Sequence, residues 1–181
     1  MPFGFGAGTA DPDEPLSRDE AIEIEIGPGE SIRLRGRIDR IDRLGDGMYE
    51  VIDYKTGRLW REGHETNFGG GTLLQHALYG MAAKRLLGSG SNVARNTYWY
   101  STEKAWGEQV SKPGSLDARP VLKDLATAIS AGVFIRGGKG SGCRFCECRQ
   151  VCPSGEKETA EQKWSSAHPG LEALRSLENH G

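Results

Sequence analysis

Alternating hydrophobic and polar positions dominate the first third of the chain. Residues 21–26 alternate isoleucine with glutamate, and residues 31–43 alternate again with isoleucine and leucine against arginine and aspartate. A period of two residues indicates half-buried β-strands. Residues 45–47, Gly-Asp-Gly, form a strong hairpin turn signal, and residues 48–55 then predict the returning strand. This part of the chain is therefore predicted to hold a β-hairpin centred on Asp46.

The middle of the chain changes to a helical period. Apolar side chains recur at helical spacing over residues 72–87 and again over residues 117–130, which predicts two helices. Between them, residues 96–101 are rich in β-formers, and a short strand near residues 108–111 is predicted to pair with them. Strands, helix, strands and helix in this order predict an α/β or α+β fold with a mixed sheet flanked by helices.

Four segments follow from these elements and from the local composition. Residues 1–20 have no periodicity and predict an acidic loop, and residues 21–135 hold the strands and helices. Residues 136–153 form a cysteine-rich segment, and residues 154–181 form a tail in which residues 171–177 predict a short helix.

Composition and charge limit the class of protein. No apolar run in the 181 residues approaches the ~20 residues of a membrane helix, and the start of the chain lacks a secretory signal, so a cytoplasmic protein is expected. Residues 1–30 hold eight acids and one base, whereas residues 31–152 hold 19 bases and 12 acids. The basic middle suits either a nucleic-acid backbone or a mixed, solvated surface, and charge alone does not choose between them.

The predicted hairpin places two carboxylates together. Asp39 lies seven residues before Asp46 and Asp53 seven after it, so a symmetric turn sets them across from each other, about 4.5–5.5 Å apart at Cβ. A divalent cation such as Mg²⁺ would neutralise their repulsion. Lys55 shares the face of Asp53, and Arg37 faces the same side, where it suits the substrate backbone. The alternative is a solvent-exposed hairpin with mixed charges.

The helix that follows offers further polar side chains. Gln75 and Tyr79 are four residues apart, which places them on one face of the helix, in reach of a phosphate or metal-bound water. By themselves both have structural explanations, because Thr72-x-x-Gln75 fits a capping box and Tyr79 fits a core position. His76 is expected to face DNA or solvent. The aromatic strand at residues 98–100 suits either a stacking platform for single strands or, in better agreement with its composition, a β-sheet core.

Three motifs in order resemble the nuclease domain of the RecB-like group in the PD-(D/E)XK superfamily. They are residues 36–42 (GRIDRID), residues 51–57 (VIDYKTG) and residues 75–79 (QHALY), within a resemblance that covers roughly residues 22–152. The resemblance implies a restriction-endonuclease-like core, Mg²⁺ or Mn²⁺ dependence and hydrolysis of phosphodiester bonds in DNA.

The same resemblance implies roles for individual residues. It implies that Asp39 and Asp53 ligate the metal, that Lys55 assists catalysis, and that Gln75 and Tyr79 support the site and, with Arg37, contact DNA. Asp42 falls one place off the family's ligand position and is expected to form a structural salt bridge. Related domains are fused to or partnered with helicases in recombinational repair, so an exonuclease-type domain of a helicase–nuclease is expected.

All four cysteines lie within ten residues, and their spacing indicates ligation rather than disulfides. They are Cys143, Cys146, Cys148 and Cys152. The segment resembles the C-terminal iron–sulfur staple of AddB and related RecB-like nucleases, in which a fourth cysteine precedes the nuclease core. That resemblance implies a [4Fe–4S] cluster. Because no cysteine precedes residue 143, either Cys148 completes a local site, with Zn²⁺ as the alternative, or the fourth ligand lies outside this sequence.

The family fold opens with a helix that completes the metal site, and nothing before Glu23 predicts such a helix. The chain is therefore expected to be the C-terminal part of a longer nuclease domain or a natural short form. Two other classes of function stay open. One is a catalytically incomplete module for nucleic-acid binding or assembly, and the other is a small zinc-binding protein.

Overall fold

The computed structural model describes residues 1–59, 67–102, 107–133 and 169–180, together with the single residues 147, 151, 162 and 164. The chain divides into two compact units. The first consists of Met1–Leu122 with His180–Gly181, and the second of Lys123–Asn179. The predicted carboxylate, lysine and glutamine residues all lie in the first unit. The four cysteines lie outside the described residues, so the predicted cysteine staple stays a prediction.

The described residues form eight strands and three α-helices. In chain order they are β1 (Pro2–Phe3), β2 (Ile22–Gly27), β3 (Glu30–Leu34), β4 (Gly36–Arg37), β5 (Arg40–Gly45), β6 (Met48–Lys55), α1 (Gln75–Leu87), β7 (Asn92–Tyr100), β8 (Gln109–Pro113), α2 (Arg119–Ser130) and α3 (Pro169–Leu177). A 3₁₀ turn at Gly69–Gly71 precedes α1.

The central sheet has four strands in the order β5-β6-β7-β8. β6 and β7 run parallel, while β5 pairs antiparallel with β6 and β8 pairs antiparallel with β7. Parallel neighbours cannot be joined by a tight turn, so the chain crosses over between them, and α1 is the helix of that crossover. α1 packs against β7 and β6. The mixed sheet with flanking helical structure confirms the predicted fold class.

A face of small residues brings α1 close to the sheet. Ala77, Gly80 and Ala83 are buried on this helix. A Cβ atom at Gly80 would lie 2.7 Å from Oδ1 and 2.8 Å from Nδ2 of Asn96, which is buried on β7. Because no real Cβ makes contacts that short, glycine is required where the Asn96 amide meets the helix.

The long alternating run at residues 31–43 is not the single strand that its pattern predicts. It divides into β3, β4 and β5, which pair with β2, β1 and β6 in three different sheets. The alternation is local, whereas continuity depends on the partner, and here the partner changes twice. The chain leaves the ladder at Ile38 and Asp39, just before β5 begins.

The first twenty residues are mostly irregular, as predicted, but they are anchored to the fold by Phe3. This side chain is fully buried, and β1 pairs with β4 through Pro2–Arg37 and Phe3–Gly36. Gly4 follows with φ near +81°, and a Cβ there would meet Arg35 Cβ at 2.8 Å. The glycine lets the chain turn away directly beside β3 and β4.

In the second unit, α3 begins two residues earlier than the sequence pattern predicts, because a proline fits the first turn of a helix. Leu171, Ala173 and Leu177 are its buried positions. Arg175 Nε donates to the Trp164 carbonyl at 3.1 Å. Among the helices of the described residues, none has the length and apolar character that crossing a membrane requires.

Candidate active site

The C-terminal end of β6 carries a carboxylate and an ammonium in direct contact. Asp53 and Lys55 are two residues apart and share one face of the strand, as the alternation predicts. β6 is flanked on both sides, by β5 and β7, so Asp53 is only 7% exposed. Lys55 Nζ forms an ion pair with Oδ2 of Asp53. The site therefore combines a buried negative charge with a nearby positive one.

Gln75 joins these two side chains from the first turn of α1. Its Nε2 donates to Asp53 Oδ1 at 2.8 Å, and its Oε1 accepts from Lys55 Nζ at 2.5 Å. The capping-box interpretation is wrong, because Leu74 is the N-cap residue of α1 and no side chain caps it. Thr72 Oγ1 instead donates to the Gly69 carbonyl at 2.7 Å. Gln75 thus contacts the β6 pair and not the helix start.

Asp39 approaches the pair from the residue just before β5. The hairpin register pairs Arg40 with Ile52, so Asp39 and Asp53 occupy the next positions, although the ladder itself stops at Arg40. Oδ2 of Asp39 accepts the backbone N–H of Tyr54 at 3.0 Å, and the residue is exposed. One carboxylate is therefore held at the surface beside a second that is buried.

Burial dominates the electrostatics of Asp53. It raises the pKa of the carboxyl above its ordinary value of 3.8, the Lys55 ammonium opposes that rise, and the negative charge of Asp39 adds to it. A carboxylate that is costly to ionise next to another carboxylate favours the approach of a further cation.

An aromatic residue that the sequence assigned to the core lies under Lys55. The Lys55 Nζ atom is 4.6 Å from the centroid of the Tyr98 ring, within the range of a cation–π contact. Tyr98 is 4% exposed, and burial raises the pKa of its hydroxyl to about 12. Its β7 position is opposite Asp53 in the parallel ladder. Sequence reasoning could not assign it to the site, because parallel register is not visible in a local pattern.

His76 does not face DNA or solvent as predicted, since only 3% of it is exposed. Its backbone N–H donates to the Tyr98 hydroxyl at 3.2 Å, and the ring stacks on Phe68 with centroids 6.2 Å apart. Tyr98 and Tyr100 are likewise buried, which confirms the core interpretation of the aromatic strand for these two residues. The reason is the position of α1, which covers this face of the sheet.

Tyr79 and Arg37 lie further along the same elements. Tyr79 is one turn beyond Gln75, and its ring edge would be 3.3 Å from a Cβ at Gly36, beside Phe3. Arg37 is exposed and sits in β4, opposite Pro2. Tyr79 therefore packs on the Gly36–Arg37 strand, which brings the QHALY and GRIDRID segments into contact.

A separate charged network occupies the opposite face of the sheet. Arg95 Nε and Nη2 donate to the two carboxylate oxygens of Glu50, both at 2.8 Å, and Thr97 Oγ1 donates to Glu50 Oε1 at 2.5 Å. Asp42 lies on this face and pairs with Arg40 at 2.6 Å. Asp42 therefore belongs to a salt bridge, as its strand position predicts.

The two carboxylates beside Lys55 fit a divalent cation that retains water ligands. Within the described ranges, no group of three or more His, Cys, Asp or Glu side chains is placed to hold a metal. Mg²⁺, however, is commonly bound through one or two carboxylates with water completing its shell. Asp39, Asp53 and Lys55 sum to one negative charge, and each carboxylate oxygen has more than one lone pair. Asp39 and Asp53 are the residues that would hold the ion.

Comparisons with known proteins point in one direction. A family model described as PD-(D/E)XK nuclease superfamily matches residues 6–153. One of the ATP-dependent helicase/deoxyribonuclease subunits of Clostridium novyi (strain NT) is 51% identical over 39 residues, which are 20% of this chain and 3% of that protein. The protein of the same name from Streptococcus mutans serotype c is 43% identical over 42 residues, 23% of this chain and 4% of that protein.

These matches span only a few per cent of the relatives' own length. No solved structure gives a significant match to the chain.

Proposed function

The chain belongs to the PD-(D/E)XK nuclease superfamily, and on this basis we propose that it is a divalent-metal-dependent deoxyribonuclease domain of the exonuclease type. The contact of Gln75 with both Asp53 and Lys55 carries the proposal. It joins the second and third motifs in one cluster, with Asp39 of the first motif next to it. A hairpin that served only as a solvated surface would have no need for this arrangement.

Each residue has a task that its geometry supports. Asp39 and Asp53 would hold Mg²⁺ or Mn²⁺, which when bound supplies Lewis-acid stabilisation of the charge that develops on a phosphodiester. Lys55 places a fixed positive charge at the same point, where it stabilises developing phosphate charge or orients water. Gln75 keeps the Asp53 carboxylate and the Lys55 ammonium in one geometry. Tyr79 and Arg37 support the strand that carries Asp39 and contact the DNA backbone.

The broader role follows from the kind of relative. The matched relatives are named as helicase/deoxyribonuclease subunits, so we propose that this domain acts on DNA in repair or recombination, in the cytoplasm and with a helicase domain or subunit. The excess of bases over acids in residues 31–152 supports a nucleic-acid substrate.

A second candidate is a catalytically incomplete module for nucleic-acid binding or assembly. One observation favours it: Lys55 is ion-paired with the carboxylate that would ligate the metal, and the described residues offer two carboxylates there rather than three. In that case the cluster would hold β6 and α1 together without catalysis.

Cleavage of linear single- and double-stranded DNA with Mg²⁺ or Mn²⁺ separates the two candidates. For the nuclease, Lys55→Ala should lower the cleavage rate about 10²–10³-fold, because it removes a preorganised charge at the reacting phosphate. DNA binding should stay nearly unchanged. Lys123→Ala, at an exposed position of α2, is the matched loss of a lysine and should cut as the wild type does. A wild type without activity, or a Lys55→Ala variant as fast as wild type, would support the binding module.

We also propose that the cysteines Cys143, Cys146, Cys148 and Cys152 bind one [4Fe–4S] cluster, with Zn²⁺ as the alternative. Their close spacing and the resemblance to the AddB-like staple support this. Protein purified without oxygen should be brown and contain iron and sulfide. Colourless protein with stoichiometric zinc would replace the cluster by zinc, and four freely titrating thiols would reject both.

A further inference from the structure

A buried aromatic ring supports the catalytic lysine from the sheet. Tyr98 lies on β7 opposite Asp53, and Lys55 Nζ stands 4.6 Å above its ring centroid. Contacts within about 6 Å of the centroid are attractive, and they are stronger when the ring is desolvated. Only 4% of Tyr98 is exposed, so this ring is shielded from water.

The position of that ring is itself fixed at the hydroxyl end. The backbone N–H of His76 donates to the Tyr98 hydroxyl at 3.2 Å, and Nδ1 of His76 lies 3.4 Å from the same oxygen. The two rings meet edge to face with centroids 5.9 Å apart. His76 is buried and stacks on Phe68. The hydroxyl is therefore tied to the first turn of α1.

Consecutive residues of α1 thus act on Lys55 by two routes. Gln75 accepts directly from the ammonium, and His76 holds the ring over which the ammonium lies. We infer that Tyr98 is a positioning residue for Lys55, with its buried ring fixing the ammonium beside Asp53 and with His76 anchoring the Tyr98 hydroxyl. This inference rests on the proposed function only in so far as Lys55 acts on DNA.

A ring contact has an advantage over a second carboxylate. The lysine stem has four rotatable bonds, and freezing them costs about 1.5–2 kcal/mol of side-chain entropy. A carboxylate placed under the ammonium would compete with Asp53 for it and add negative charge to the site. A neutral ring holds the ammonium while leaving the carboxylate oxygens of Asp39 and Asp53 for a cation.

A spectroscopic test reads the placement without any activity. In full-length protein with ¹³C-labelled lysine, the Lys55 Cε–Hε signal, assigned by its loss in Lys55→Arg, should be shifted upfield by the Tyr98 ring current. The shift should persist in Tyr98→Phe, which keeps the ring, and vanish in Tyr98→Leu. Val93→Ala, a buried change at the other end of β7, is the control for lost packing and should leave the signal in place.

Kinetics tests the consequence. Tyr98→Leu should lower kcat about tenfold with little change in KM, which corresponds to the upper part of the range for one cation–π contact. Tyr98→Phe should recover most of that loss, and Val93→Ala should lower thermal stability without a comparable fall in kcat. An unshifted Lys55 signal in the wild type, or equal kcat values for Tyr98→Leu and Val93→Ala, would overturn the inference. An inactive wild type with the shifted signal would reject the nuclease while supporting the placement of Lys55.

Discussion

Nε2 of Gln75 donates a hydrogen bond to Oδ1 of Asp53 at 2.8 Å, across 22 residues of sequence. The contact joins the first turn of α1 to the buried end of β6. Since α1 is the crossover helix between the parallel strands β6 and β7, the crossover itself delivers the glutamine to the carboxylate. The polar cluster thus depends on the topology of the sheet as well as on the residues.

Replacement of Gln75 separates a role at the site from a role in the helix. Gln75→Ala should lower cleavage roughly tenfold to hundredfold, because misplacing groups by about 1 Å has effects of this size. The melting temperature should change little, since Gln75 does not cap α1. Thr72→Ala is the control from the rejected capping box and should affect neither property. A lower melting temperature with unchanged cleavage in Gln75→Ala would contradict this assignment.

Metal binding should depend on the carboxylates next to Lys55 and not on carboxylates in general. Calorimetry with Mn²⁺ should show binding to the wild type and little to Asp53→Ala or Asp39→Ala, since each removes half of the two-carboxylate site. Asp42→Ala is the matched control, because Asp42 lies on the opposite face of the hairpin and pairs with Arg40. Binding that survives in Asp53→Ala, or that is lost equally in Asp42→Ala, would exclude the shared site.

Stability should fall in acid through Glu50. The hydrogen bonds from Arg95 are the main reason that the pKa of this carboxyl lies below its ordinary value of 4.5. A lowered folded-state pKa means that the stabilisation is complete above the unfolded pKa and is lost as pH falls through the folded one. Glu50→Gln should therefore reduce the free energy of unfolding by about 1–3 kcal/mol at neutral pH.

The difference between Glu50→Gln and the wild type should shrink at about pH 3, where the wild-type carboxyl begins to protonate. Urea denaturation at the two pH values measures it. An equal loss at both would show that the charge of Glu50 does not contribute.

A methyl group at Gly80 should destabilise a helix that it would ordinarily favour. Alanine in place of glycine in a helix interior is worth about 1 kcal/mol. Here the new Cβ would lie 2.7 Å from the Asn96 amide, so overpacking should outweigh that gain and lower the free energy of unfolding by about 1–3 kcal/mol. Gly80→Ala with Asn96→Ala should recover part of the loss in thermal unfolding. A more stable Gly80→Ala protein would show that Asn96 moves aside freely.

Local periodicity predicted β6 with the bounds that the structure shows, and predicted that Asp53 and Lys55 share a face. Both depend only on neighbours in sequence, since side chains two residues apart in a strand always point the same way. α1 begins three residues later than its apolar pattern predicts but ends where Gly88 indicates. The hairpin register was also readable, because a two-stranded turn leaves few alternatives.

Partners far apart in sequence decided the rest. Gln75 had two equally local explanations, a cap and a site residue, and only the packing of α1 on β6 and β7 separated them. His76 and Tyr98 meet because α1 covers β7, a contact between residues 22 positions apart. The amino-acid sequence therefore determined which chemical groups are present and which face of each strand or helix they occupy. The tertiary structure decided which of those faces meet, because burial and register are set by the partner element and not by the element's own pattern.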